Sequence, residues 1–143
     1  MMSSNEKKDY VLQFFKSWER GTFNDLQESY RKYLASDVLY ENSGAPACHG
    51  IGEAVALIES VCLLKSMDIQ TIKVEMRAIA AEGNLVFTER IDYHYNSTGE
   101  AVLVPYICGV MVFKDDKIVR WSDYFDPTEF VRALELRAGM QAS

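Results

Sequence analysis

Three short clusters in this sequence hold residues that could do chemistry together. Arg90 and Asp92 stand two apart within Leu85 to Tyr95, a run with the period of a strand. Side chains alternate faces along a strand, so Val86, Thr88, Arg90, Asp92 and His94 share one face. Taken alone, such an Arg-Asp pair reads as a solvated surface ion pair, which is worth little. Asp123 falls on a face with Val119, Trp121 and Phe125. A carboxylate among such apolar neighbours is costly to bury. It needs a partner, or its pKa rises until it keeps its proton. Arg90 is an available partner. Tyr40 and Asn42 share a third face with Val38. Read singly, Tyr40 packs on a sheet edge and Asn42 opens a turn. A buried acid partnered by an arginine is also the material of general acid-base catalysis.

The elements that must position these residues follow from periodicity. Glu6 to Arg20 reads as a helix, with Val11, Phe14, Phe15 and Trp18 on one stripe and Gly21 as a stop. A second helix is predicted over Asp25 to Ala35, capped by Asn24 and carrying Leu26, Tyr30, Tyr33 and Leu34 on one face. A short strand, Asp37 to Asn42, precedes a Gly- and Pro-bearing loop, and a third helix runs from Ile51 to Lys65. The period then changes to two. Strands are predicted over Ile69 to Ala81, with Ile72, Val74, Met76 and Ala78 on one side, and over Leu85 to Tyr95, Ala101 to Phe113 and Lys117 to Phe125. Short turns between them imply neighbouring antiparallel strands. Pro127 suits the first turn of a closing helix ending near Arg137. Helices, then a meander, then a helix is an α+β pattern. The expectation is a curved, mixed, mostly antiparallel sheet backed by helices and enclosing a deep apolar pocket. One domain spans residues 1–143, with 1–5 and 139–143 as flexible ends.

Composition narrows the function classes. The net charge of −6 opposes binding to nucleic acid, and no basic stripe with interleaved aromatics is present. Cys48, Cys62 and Cys108 form neither a disulfide frame nor a zinc-site spacing. Cys62 and Cys108 lie in apolar runs, where free cysteine is usually a small core residue. That fits a reducing compartment, and a cytoplasmic protein is expected. The polar start shows no signal peptide and no run is long enough to span a membrane. His49 and His94 stand in no metal-binding spacing. His94 is read as a partly exposed strand residue. Ser43 and Ser122 lack nucleophile-elbow context, and Gly50 and Gly52 read as a helix-entry loop rather than a phosphate-binding one.

Together, Tyr40-Glu41-Asn42, Arg90-Ile91-Asp92 and Trp121-Ser122-Asp123-Tyr124-Phe125-Asp126 resemble the limonene-1,2-epoxide hydrolase family. The likeness covers most of the chain. It implies a cone of helices and curved sheet of the nuclear transport factor 2-like kind, a fold that hosts many functions. It further implies that Asp123 is a general base, that Tyr40 and Asn42 hold the attacking water with it, that Asp92 is the general acid, and that Arg90 bridges the acids. Trp121 and Phe125, flanking Asp123, are the expected walls for a small lipophilic epoxide. No metal or organic cofactor is expected. A homodimer is implied by the family. Two other readings stay open: a ketosteroid isomerase-like or polyketide cyclase-like enzyme, and a non-catalytic binder of lipophilic ligands.

Overall fold

The computed structural model describes residues 1–20, 23–60 and 67–142. Helix α1 spans Ser4–Ser17 and runs into a 3-10 turn, Trp18–Arg20. It starts earlier than Glu6 and orders part of the expected flexible end. Ser3 accepts a bond from the Glu6 amide while the Glu6 carboxylate accepts one from the Ser3 amide. This reciprocal cap satisfies two donors the helix would otherwise leave free. Val11, Phe14, Phe15 and Trp18 are all buried, as their stripe requires.

Helix α2 spans Phe23–Tyr33 and strand β1 Leu34–Asn42. Asn24 thus lies inside the helix rather than at its cap. Leu34 and Ala35 belong to the strand, because Leu34 pairs with Ile118 across a parallel ladder. A two-residue strand β2, Cys48–His49, pairs back onto β1 within the expected loop. Helix α3 spans Ile51–Ser60, and its predicted continuation to Lys65 lies outside the described residues. Cys62 falls there as well.

Strands β3 (Ile69–Glu82) and β4 (Leu85–Asn96) form a long antiparallel hairpin. The predicted strand over Ala101 to Phe113 is two: β5, Ala101–Leu103, and β6, Tyr106–Lys114. Pro105 divides them, since it lacks the N–H a ladder needs. Its carbonyl instead accepts from the Asp92 amide at 3.1 Å. Strand β7 spans Lys117–Tyr124, and helix α4, Thr128–Ala142, closes the chain. The sheet order is β2-β1-β7-β6-β4-β3, with β5 on β4. Among the described residues only the β1–β7 pair is parallel, so the sheet is mixed and mostly antiparallel.

Two bulges shift faces away from simple alternation. Between Phe113↔Ile118 and Val112↔Arg120, Val119 is the extra residue of β7. Ile118 therefore takes the inward place assigned to Val119, while Trp121 and Asp123 keep theirs. In β3 the register slips at Arg77. Ala78 is exposed, and Ile79 and Ala81 pack toward the core instead. Bulges of this kind bend and twist a strand, which curves the sheet around its inner face. On β6 the alternation is clean: Ile107, Gly109, Met111 and Phe113 point inward and Cys108 is exposed. The expectation that Cys108 is a core residue is thus corrected.

Candidate active site

The inner face of the sheet meets Trp18 of the 3-10 turn, α2, α3 and α4 around a cavity of about 390 Å³. Its wall is mainly apolar, with Leu26, Leu57, Ile58, Ile72, Ile107 and Phe130 among the lining residues. Asp92 of β4 and Asp123 of β7 reach it from the two strands that flank β6, and Tyr40, Asn42 and Phe125 also line it. Arg90 is 1 % exposed and stands behind the acids rather than on the wall.

Arg90 joins both carboxylates. Its Nη1 and Nη2 donate to Asp123 Oδ1 and Oδ2 at 2.9 and 2.5 Å. Its Nε and Nη2 donate to Asp92 Oδ1 and Oδ2 at 3.0 and 3.3 Å. Two edges of one planar guanidinium thus serve two acids, which a lysine ammonium cannot reproduce. Nη1 also lies 3.3 Å from Thr88 Oγ1. The Phe15 ring sits 4.4 Å from the guanidinium carbon, so the cation is roofed by an aromatic face.

Register explains how these groups converge. On β4, Thr88, Arg90 and Asp92 share the inner face. Gly109 of β6 lies between Thr88 of β4 and Asp123 of β7. A Cβ there would stand 2.7 Å from both Arg90 Nη1 and Asp123 Oδ1, and 2.9 Å from Thr88 Oγ1. Glycine is what lets the network cross the central strand. On the other side, Tyr40 and Asn42 of β1 pair with Trp121 and Asp123 of β7. The Ser43 amide donates to the Asp123 carbonyl at 3.1 Å, which holds the end of β1 against Asp123.

Trp121 is fully buried and does not line the cavity, contrary to its expected place on the wall. It stacks on Tyr40 at 4.3 Å, and its indole Nε1 donates to Asp123 Oδ1 at 2.8 Å. Phe125 does lie on the wall, half-buried just beyond the strand end. Tyr30 was visible in the sequence only as a core position on α2. Its hydroxyl lies 3.5 Å from that of Tyr40, and it too lines the cavity. His94 is buried on the wall, not partly exposed. It shares a face with Arg90 and Asp92, and that alternation was the available signal. Gly109 carried no sequence signal, because a close approach depends on the partner strands.

The electrostatics set the acids apart. Burial pushes both carboxyls above the ordinary range, and Arg90 opposes this in each. Two carboxylates around one guanidinium leave a net negative charge in an apolar site, and one proton cancels it. Asp123 accepts from Arg90 twice and from the Trp121 indole, whereas Asp92 accepts only two longer bonds from Arg90. Donors favour the ionised form, so Asp123 is the better carboxylate and Asp92 the better carboxylic acid. Burial, followed by the Asp123 charge, also raises the Tyr40 phenol, while bonds from Tyr30 and Asn42 oppose the rise. Tyr40 therefore stays a neutral hydrogen-bonding group. Among the described residues, no group of three His, Cys, Asp or Glu side chains is placed to hold a metal ion.

The family model for the limonene-1,2-epoxide hydrolase catalytic domain matches residues 6–136. The chain belongs to this family. A solved LEH-like epoxide hydrolase from M. tuberculosis is 25% identical, with 98% of each chain covered and a TM-score of 0.67. A provisionally assigned SnoaL-like polyketide cyclase from Jannaschia matches at 14% identity over 93% of this chain and 95% of its own, TM-score 0.71. A de novo designed protein with a curved β-sheet matches at 21% identity over 94% and 99%, TM-score 0.63. The last two share the fold alone, and a designed protein among them illustrates how little the fold by itself says about activity. Among the described residues, no helix is long and apolar enough to cross a membrane.

Proposed function

We propose that this protein hydrolyses a lipophilic epoxide to a vicinal diol by direct attack of water. The observation that carries this reading is the Arg90 fork holding Asp92 and Asp123 together at one cavity. Opening an epoxide requires a push on carbon and a pull on oxygen, because an alkoxide leaves poorly. Asp123, ionised, takes a proton from water held with Tyr40 and Asn42. The water oxygen bonds to one oxirane carbon while that carbon's bond to the ring oxygen breaks. Asp92, protonated, gives its proton to that oxygen. The products are the diol, a protonated Asp123 and an ionised Asp92, and a proton exchange between the acids resets the site. Pre-orientation of the water supplies proximity without a covalent intermediate. The two acids titrate as a coupled pair.

A proton shuttle next to a carbonyl, as in the isomerase-like and cyclase-like readings, needs one acid and gains nothing from a second held by the same arginine. A pure lipophilic binder has no use for a buried Asp-Arg-Asp network, whose desolvation is costly. We propose further that the chain is a cytoplasmic homodimer. The outer sheet face supports the pairing, with Phe87, Tyr106 and Tyr124 all exposed.

Single-turnover hydrolysis of cyclohexene oxide, limonene oxide and one larger epoxide in ¹⁸O-labelled water tests the reaction. Label in the diol of the first turnover supports direct attack. Unlabelled first-turnover diol indicates a carboxylate nucleophile, and no diol from any of the three defeats the reading.

A further inference from the structure

The reaction leaves His94, a polar residue on the cavity wall, without a task. His94 lies on β4, two residues beyond Asp92, and its buried ring lines the cavity. Its Nδ1 is 2.9 Å from the Asp92 carbonyl and 3.2 Å from the Leu103 carbonyl. Both partners only accept, so Nδ1 carries the ring proton and donates. Burial lowers the imidazole to about 4, with the two carbonyl bonds opposing the drop. The ring is therefore neutral at physiological pH. A neutral ring protonated at Nδ1 presents a lone pair at Nε2. No protein donor meets Nε2 among the described residues.

The surroundings give that lone pair no other use. The Phe130 ring meets His94 edge-on at 6.4 Å, and Ile72, Ile107 and Val131 belong to the same wall. The charged groups nearby, Asp92 and Arg90, are committed to each other. The bonds from Nδ1 to β4 and β5 also fix the tautomer and the ring's orientation. An immobile acceptor in an apolar wall favours a ligand that brings a donor and penalises one that leaves it bare.

We propose that His94 Nε2 accepts a hydrogen bond from a hydroxyl on the substrate, so that the preferred substrates are hydroxylated epoxides. The hydroxyl sits away from the oxirane, across a ring or a short chain, because the oxirane faces Asp92 and Asp123. This inference rests on the epoxide reading and names the substrate class of the same cavity.

The test compares kcat/KM for a ring-hydroxylated cyclohexene oxide with that for cyclohexene oxide itself. Wild type is expected to prefer the hydroxylated epoxide by roughly tenfold or more. His94→Leu should bring the ratio close to one, and His94→Gln, which restores an acceptor oxygen, should keep part of the preference. A wild-type ratio near one, or a ratio unmoved in His94→Leu, overturns the proposal while leaving epoxide hydrolysis intact. A second readout needs neither turnover nor a variant. In ¹⁵N-histidine spectra of wild type, cyclohexanol at saturation should move the His94 Nε2 signal upfield, methylcyclohexane should not, and exposed His49 should stay fixed. No movement with the alcohol overturns the proposal even if hydrolysis is seen. Movement without any hydrolysis supports the acceptor and defeats the epoxide reading instead.

Discussion

Glu89 and Arg90 follow one another on β4, and the pleat sends them to opposite faces of the sheet. Outside, Glu89 meets Arg77 at 4.0 Å, with both side chains more than half exposed. Inside, Arg90 meets Asp92 and Asp123 with all three side chains almost wholly buried. Identical charge types one residue apart therefore have very different worth. Water screens the outer pair, and its loss changes little. The inner network has no water to fall back on, so removing one partner strands the rest. The outer face makes an ordinary strand surface, and the inner face stores the charge a reaction can use.

Breaking the inner network at its centre should have the largest effect. Arg90→Met leaves two buried acids without their cation, and should cost about 3–5 kcal/mol in a denaturant melt along with all turnover. Arg90→Lys should fold better and still lose most of the rate, because a point charge cannot fork to two carboxylates.

Gly109→Ala comes next. Its Cβ would press on Arg90, Asp123 and Thr88 at once. Diol formation should drop by at least tenfold, with a loss of about 1–3 kcal/mol in stability. A Gly109→Ala protein with wild-type rate and melting temperature would show that the network does not depend on the close approach across β6.

The pH dependence sharpens the division of labour between the acids. Both carboxyls sit above the ordinary range in the folded state. The folded chain thus binds more protons than the unfolded one, and this part of the stability declines as pH rises through the raised values. Hydrolysis should fall at high pH, as Asp92 loses its proton, and at low pH, as Asp123 gains one. Asp92→Asn should remove the decline in stability attributable to its own ionisation, read from melting temperatures across the series.

The smallest effect belongs outside. Glu89→Gln should shift stability by less than about 0.5 kcal/mol and leave turnover unchanged.

This contrast also separates what was legible in the sequence from what was not. Period two alone placed Arg90, Asp92 and His94 on one side and Glu89 on the other, and the α1 stripe of Val11, Phe14, Phe15 and Trp18 read directly as core. The three motifs named the five groups now found around the cavity and its Arg90 floor. Long-range pairing was not legible. The bulges at Arg77 and Val119 move Ala78 and Val119 off their assigned faces, and a bulge is defined by the partner strand. Trp121 read as a wall because it flanks Asp123 on one face. It lies behind the acid instead, where the helix aromatics Phe14, Phe15 and Tyr30 surround it. His94 looked half-exposed until β5, split from β6 by Pro105, paired beside it and Phe130 met its ring.

The most direct test of the paired-acid account is diol formation from limonene oxide and cyclohexene oxide by wild type, Asp123→Asn and Asp92→Asn, each checked for folding by circular dichroism. The account predicts diol from wild type and a loss of roughly 100-fold or more in each folded variant. More than about a tenth of the wild-type rate in either variant would contradict an obligatory base or acid at that position.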